Sequence, residues 1–127
     1  MTIILNYDQL ISIGRSFERK ILLDLLEEGL RASDPIEAVK RSFKICGREI
    51  IVQDKYRVSL ENVDRIIIIG AGKASCKMAL GLEEVINDEI YYEGIVTAPH
   101  GIRTKLNRIR VLEGDHPIPS DRNVENT

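Results

Sequence analysis

The sequence predicts an α/β fold centred on a strand, a glycine turn and a helix. Four consecutive isoleucines, Ile66–Ile69, form a short apolar run without alternation, which is typical of a strand buried on both faces of a parallel sheet. Gly70 and Gly72 follow, and from Lys73 onward apolar residues recur at helical spacing. A second strand over residues 94–98 completes a βαβ unit, which predicts an incomplete Rossmann-like sheet.

A helical hairpin is predicted ahead of this unit, over residues 1–47. Apolar residues recur every three or four positions over residues 7–32, with Asn6 as a possible cap, and again over residues 36–45. Ser33-Asp34-Pro35 separates the two helices, because Ser or Asp can cap a helix and proline is tolerated in its first turn. We expect this hairpin to pack against the sheet.

The remaining segments complete a single predicted domain over residues 1–127. A small β piece over residues 48–60 contains two short strands joined by a turn, and residues 61–127 form the α/β core. Residues 109–112 are a third strand candidate, but the connection before them is short for a parallel crossover, so its neighbour stays open. Three strands are few for such a sheet, and we expect the chain to be the amino-terminal fragment of a longer protein.

Composition excludes several function classes. The net charge is −2 over 127 residues, and acidic and basic residues are interleaved, so neither nucleic acid nor a membrane surface is an expected partner. The apolar runs are too short to span a bilayer and no signal core follows the first residue, so a cytoplasmic location is expected. Cys46 and Cys76 stand far apart without paired histidines, so no metal site is expected from them.

The glycine turn is the first candidate site. A helix that starts directly after a strand directs its free backbone N–H groups towards the carboxyl end of that strand, where an anion is well placed. Lys73 is unfavourable beside the positive end of the helix dipole unless an anion binds there. The pattern therefore favours a phosphate or carboxylate site, although Lys73 could also be an ordinary solvated surface residue.

Two standard nucleotide motifs do not fit this turn. A Walker loop has four residues between its first glycine and its Gly-Lys pair. Here the preceding glycine, Gly70, is only two positions before Gly72 of the Gly72-Lys73 pair. The dinucleotide fingerprint matches at these two glycines, but Ser75 replaces the third glycine and no ribose-binding acid follows the next strand. Nicotinamide binding is therefore disfavoured.

Two further segments lie at predicted strand ends. Pro99-His100-Gly101 follows the second strand and Asp115-His116 follows the third, at the edge where open α/β sheets place ligands. Prolines at positions 117 and 119 keep the second segment extended. The plain alternative is an ordinary turn for the first segment and a proline-rich connection for the second.

The motifs together resemble the amino-terminal part of glycerate 2-kinases. The resemblance lies in RIIIIGAGKASCKMALGLEE at residues 65–84, GIVTAPHG at residues 94–101 and RVLEGDHPIPS at residues 110–120. It covers essentially the whole chain. Its specific part is the glycine turn followed about forty residues later by the His-Pro-x-Pro segment.

The resemblance implies an activity, its cofactors and a set of site residues. Such kinases use ATP and a divalent metal such as Mg²⁺ to phosphorylate D-glycerate at its 2-hydroxyl group, giving 2-phosphoglycerate. Lys73 matches the active-site lysine that stabilises the transferring phosphoryl group. The candidate phosphate- or substrate-binding residues that the resemblance implies are Gly70, Ala71, Gly72, Ser75, Asp115 and His116, of which Asp115 stands where these kinases usually have a glycine.

One alternative and two further expectations complete this interpretation. A non-catalytic regulatory domain that binds a sugar phosphate or another anion would use the same glycine turn. The 127-residue chain by itself is expected to be inactive, because kinases of this type carry a second domain. A third strand with an open edge would allow a homo-oligomer.

Overall fold

The computed structural model describes residues 2–102 and 104–126. The helices are α1 (Tyr7–Ser12), α2 (Ser16–Ala32), α3 (Pro35–Ser42), α4 (Ser75–Val85) and α5 (Asp121–Glu125). The strands are β1 (Phe43–Cys46), β2 (Glu49–Val52), β3 (Tyr56–Ser59), β4 (Ile66–Ala71), β5 (Tyr92–Pro99) and β6 (Ile109–Gly114). Within the described ranges, no helix has the length and apolar character needed to cross a membrane.

The strands form two separate three-stranded sheets. The first sheet is antiparallel in the order β1-β2-β3, and the second is parallel in the order β4-β5-β6. Helix α4 connects β4 to β5, as the predicted βαβ unit requires. The α/β fold with a parallel sheet and a helical amino-terminal part is therefore confirmed.

The main core lies between α4 and one face of the parallel sheet. Cys76 and Ala79 of α4 are buried against Val96 and Ala98 of β5. The connection between β5 and β6 adds Leu106 to the same cluster. This packing fixes the orientation of α4 over the sheet and so sets where its first turn lies.

The prediction that the isoleucine strand is buried on both faces is wrong. Its burial alternates, and the side chains of Ile67 and Ile69 are 55% and 81% exposed. β4 is an edge strand whose Ile66 and Ile68 pack on the core, while the opposite face of the sheet is open. A continuous apolar run in the sequence does not show whether one face of the strand is buried or both.

The predicted first helix is two helices. Gly14 and Arg15 have φ values of +53° and +32°, and this left-handed backbone separates α1 from α2. Asn6 precedes α1, but its side chain makes no capping hydrogen bond. The predicted cap of the following helix is confirmed, since the Asp34 carboxylate accepts hydrogen bonds from the N–H groups at positions 36 and 37.

The second predicted helix ends earlier than its pattern suggests. Residues 36–45 were predicted to be helical, but α3 ends at Ser42, and residues 43–46 form β1, which pairs with β2. The predicted helical boundary at residue 47 is therefore wrong. Gly47, at φ +59°, allows the tight turn between the two strands, and pairing with β2 outweighs the weak helical pattern.

Of the amino-terminal helices, α3 packs on α4 rather than on the parallel sheet. α3 lies so close to α4 that a Cβ atom at Gly81 would stand 2.9 Å from the Ile36 carbonyl oxygen. The apolar side of α2 is largely exposed, with Phe17 at 72% and Leu25 at 65%. The expected packing of the hairpin against the sheet is therefore not found.

The third strand takes its place beside β5. β6 runs parallel to β5 with Gly94 opposite Ile109, so the neighbour that the sequence left open is the preceding strand. The Glu83 carboxylate accepts hydrogen bonds from the backbone N–H groups of Asn107 and Arg108, at 2.7 and 2.9 Å. Helix α4 thereby anchors the end of the short crossover.

Candidate functional site

The carboxyl ends of all three parallel strands border one open pocket with a volume of about 120 Å³. This is the edge at which open α/β sheets bind ligands. Three segments of the chain line this pocket. They are the residues after β4, the last residues of β5, and the residues from the end of β6 to α5. The lining residues are Gly72, Lys73, Thr97, Ala98, Pro99, Gly114, Asp115, His116 and Asn123.

The glycine turn, residues 70–75, is held mainly by backbone groups. Gly72 has a φ of +109°, and its N–H donates to the Thr97 carbonyl oxygen at 3.0 Å. The Ser75 hydroxyl lies 2.7 Å from the Gly72 carbonyl oxygen and 2.8 Å from that of Thr97. Ser75 is buried, so its hydroxyl fixes the turn onto β5 from behind.

Lys73 is the cation of the pocket. Its side chain is exposed, and within the described part of the chain it makes no hydrogen bond or ion pair. α4 begins at Ser75, two residues after Lys73, and the N–H groups of Cys76 and Lys77 donate to no described carbonyl. Lys73 and the positive end of the α4 dipole therefore raise the potential in this region together.

The exit loop, residues 115–120, forms the other wall of the pocket. The Asp115 carboxylate accepts a hydrogen bond from the Ser120 hydroxyl at 2.5 Å and lies 4.0 Å from the Arg122 guanidinium. His116 is exposed and precedes a cis peptide bond to Pro117. A carboxylate and an imidazole thus share the pocket with the Lys73 ammonium group.

Asn123 lines the pocket although the sequence did not indicate it. Its side-chain oxygen accepts hydrogen bonds from the N–H groups of Asp115 and Ser120, both at 3.0 Å. Its amide nitrogen donates to the Asp115 carbonyl oxygen at 3.1 Å. The available signal was its position three residues after a serine at the start of a short helix, where a side chain can turn back to the cap.

His100 and Glu113 form a pair beside the pocket. His100 Nδ1 lies 2.5 Å from the Glu113 carboxylate, and the His100 N–H donates to the Gly114 carbonyl oxygen. The hydrogen bond from His100 lowers the pKa of Glu113, and burial opposes this shift. Both side chains are largely exposed, and neither lines the pocket.

The sequence-predicted site residues fall into two groups. Lys73, Gly72, Asp115 and His116 line the pocket. The three remaining positions, which are not among its lining residues, are Gly70, Ala71 and Ser75. Gly70 permits close packing instead, since a Cβ atom there would stand 3.1 Å from Val96 Cγ1.

The pocket is suited to an anion more than to a metal ion. Residues 2–102 and 104–126 contain no group of three or more His, Cys, Asp and Glu side chains placed to bind a metal. Among these residues, Asp115 provides the one carboxylate that lines the pocket. A magnesium ion here would take most of its ligands from elsewhere, such as phosphate oxygens and water.

A protein-family model matches the part of the chain that contains this architecture. The model described as "Domain of unknown function (DUF4147)" matches residues 21–127, which include the whole parallel sheet and every residue that lines the pocket. The chain belongs to the DUF4147 family.

This DUF4147 chain is similar to proteins that carry a functional name. It is 35% identical to a glycerate 2-kinase of Pyrococcus horikoshii over 84% of this chain and 23% of that protein. It is 43% identical to a putative hydroxypyruvate reductase of Agrobacterium vitis, over 48% of this chain and 16% of that protein. The resemblance to glycerate 2-kinases that the motifs indicated is confirmed.

The fold is also found in a solved structure. The PH0495 protein from Pyrococcus horikoshii matches with a TM-score of 0.72 and 32% sequence identity, over 86% of this chain and 24% of that one. The DUF4147 chain therefore spans about a quarter or less of the length of these relatives.

Proposed function

We propose that the chain forms the amino-terminal part of a kinase that transfers the γ-phosphoryl group of ATP to the 2-hydroxyl group of D-glycerate. The proposal is supported by similarity to a glycerate 2-kinase over 84% of the chain. It is also supported by the position of the pocket, at the sheet edge where α/β folds bind small ligands. Under this proposal, the rest of the enzyme would come from outside these 127 residues.

The observation that carries the proposal is the ammonium group of Lys73, which has no hydrogen-bond or ion-pair partner among residues 2–102 and 104–126. Phosphoryl transfer requires positioning and positive charge, because negative charge is spread over the oxygens of the transferring group. A lysine already paired with a carboxylate would have to break that pair before it could act. Lys73 has no such pair to break among the described residues. The positive end of the α4 dipole adds to its positive charge.

The other pocket residues suit binding of the acceptor. The Asp115 carboxylate can accept a hydrogen bond from a hydroxyl group, and the His116 imidazole can donate one to a carboxylate. Both groups lie in the pocket that contains Lys73. In this proposal Gly72 leaves the backbone open for close approach of the anion, while Asp115 and His116 orient the hydroxy acid.

The cofactors of the proposed reaction are ATP and Mg²⁺. The negative phosphate groups of ATP are complementary to the positive potential at Lys73 and the glycine turn. The described residues do not make a magnesium site by themselves, so in this proposal they act on the anion directly. Their part is to bind, orient and neutralise charge.

A non-catalytic domain that binds a sugar phosphate or another anion is the second candidate. Such a domain would bind its anion with the same glycine turn and Lys73, since Gly72 and Lys73 line one pocket. A nicotinamide-dependent reductase is disfavoured, because the buried Ser75 hydroxyl occupies the place of the third glycine in the dinucleotide motif.

The deciding experiment uses the complete gene product that carries this chain. Its intact mass is measured first, followed by ATP-dependent phosphorylation of D-glycerate. We expect Lys73→Met to lower kcat by about 10²–10³-fold, the usual effect of removing one group that stabilises transition-state charge. Lys77→Met is the matched control, because Lys77 is also exposed near the start of α4 but does not line the pocket.

Three results would overturn the kinase proposal. The first is full activity of the Lys73→Met protein. The second is phosphate binding without phosphoryl transfer that survives this substitution largely intact, which would support the regulatory alternative. The third is NADH-dependent reduction of hydroxypyruvate without phosphorylation, which would place the protein in a different reaction class.

A further inference from the structure

The exit loop needs side chains to hold it in place. Residues 115–119 form no backbone-to-backbone hydrogen bond with the described chain. Pro117 and Pro119 carry no N–H group at all. The loop nevertheless presents Asp115 and His116 to the pocket, so its position depends on contacts from neighbouring side chains.

Asn123 makes the contacts that close both ends of this loop. One side-chain oxygen bridges the N–H groups of Asp115 and Ser120, and the amide nitrogen binds the Asp115 carbonyl oxygen. All three hydrogen bonds are made to backbone atoms. The side chains of Asp115 and His116 therefore remain able to contact a ligand while the backbone that carries them is fixed.

Asn123 also packs closely against Gly114. A Cβ atom at Gly114 would stand 2.9 Å from its amide nitrogen, so the two residues are in close contact at the end of β6. The other groups near the Asp115 carboxylate, Ser120 and Arg122, are exposed and act on the side chain. A bound ligand could replace those contacts without releasing the loop.

We propose that Asn123 is a positioning residue that holds Asp115 and His116 against the pocket shared with Lys73. This inference rests on the proposed function and deepens it. Asn123 acts through the loop backbone, so its removal changes the binding of a hydroxy acid more than that of a simple anion. The binding of inorganic phosphate instead depends on Lys73 and the glycine turn.

The test is calorimetric titration of the complete gene product with D-glycerate and, separately, with inorganic phosphate. We expect Asn123→Ala to weaken D-glycerate binding about tenfold, which corresponds to the net contribution of about one hydrogen bond, and phosphate binding less than about threefold. Asn123→Asp keeps both acceptor contacts and should recover part of the loss. Asn126→Ala is the control, because Asn126 binds the Glu113 carbonyl oxygen and not the loop.

A double-mutant cycle separates positioning from general stability. In a background that carries Asp115→Ala and His116→Ala, Asn123→Ala should have little further effect on D-glycerate binding, because the groups it positions are gone. In a Lys73→Met background, its effect should persist. Equal effects in all backgrounds would show a structural role and overturn the inference.

The outcomes distinguish the two proposals. If the unmodified protein binds both probes and Asn123→Ala binds D-glycerate equally well, the inference about Asn123 is wrong and the proposed function stands. If the unmodified protein binds neither probe, the proposed function fails and the inference fails with it.

Discussion

The two walls of the pocket are held in different ways. The glycine turn is fixed by Gly72, whose N–H binds the Thr97 carbonyl, and by the buried hydroxyl of Ser75. The exit loop is fixed by the side chain of Asn123 and by exposed contacts to the Asp115 carboxylate. The glycine turn is thus hydrogen-bonded directly to the parallel sheet, whereas the exit loop is held by side-chain contacts.

This difference indicates how each wall would respond to substitution. Changes in the glycine turn disturb the packing of α4 on β5, so they should alter stability and binding together. Changes in the exit loop should alter binding with little effect on unfolding.

The largest effect on stability is expected for Gly72→Ala. The left-handed backbone at φ +109° is unfavourable for a residue with a Cβ atom, so we expect a loss of about 1–3 kcal/mol in the free energy of unfolding. Phosphate affinity should fall as well, because Lys73 is adjacent. Urea denaturation and phosphate titration measure the two effects.

Gly101→Ala is the matched control for this substitution. Gly101 also has a positive φ, of +86°, and as at Gly72 nothing lies within 4 Å of an added Cβ atom. It does not line the pocket. A similar loss of stability with unchanged phosphate affinity is expected, and an equal loss of affinity would contradict the special role of the turn.

A smaller effect is expected for Ser75→Ala. Removing the buried hydroxyl takes one donor from the Gly72 and Thr97 carbonyl groups, which should cost about 1 kcal/mol of unfolding free energy. Ser120→Ala in the exit loop is the comparison, because its hydroxyl is exposed. If Ser120→Ala destabilised the protein as much as Ser75→Ala, the contrast between the two walls would be wrong.

The smallest effect concerns the pair beside the pocket. Since His100 lowers the pKa of Glu113 below its ordinary value of 4.5, the pair stabilises the folded protein above that pH. The contribution is lost as the pH falls through the lowered pKa. Titration of the Glu113 carboxyl carbon by NMR should show its pKa rising towards 4.5 in His100→Gln, but not in His116→Gln.

The local parts of the fold were predictable from sequence. The isoleucine run, the glycines and the helical spacing after Lys73 predicted β4, the turn and α4, and Asp34-Pro35 predicted the start of α3. Each of these signals acts within a few residues. The prediction also placed Lys73, Asp115 and His116 at strand ends, and the structure brings them to one pocket.

Other features depended on partners distant in sequence. Residues 43–46 have a pattern compatible with a helix, but they form a strand because residues 49–52 pair with them. The interruption at Gly14 and Arg15 left no clear break in the apolar pattern. Asn123 was missed because an asparagine in a short terminal segment acquires its role only when the loop before it folds back.

By itself, the sequence determined the central strand and helix, the glycine turn between them and the chemistry available at the strand ends. It could do so because backbone preference and apolar spacing are local properties. Tertiary structure alone decided which face of β4 is covered and that β6 lies beside β5. It also decided that Ser75 faces the framework while Asn123 holds the loop, because burial and hydrogen-bond partners exist only once distant segments meet.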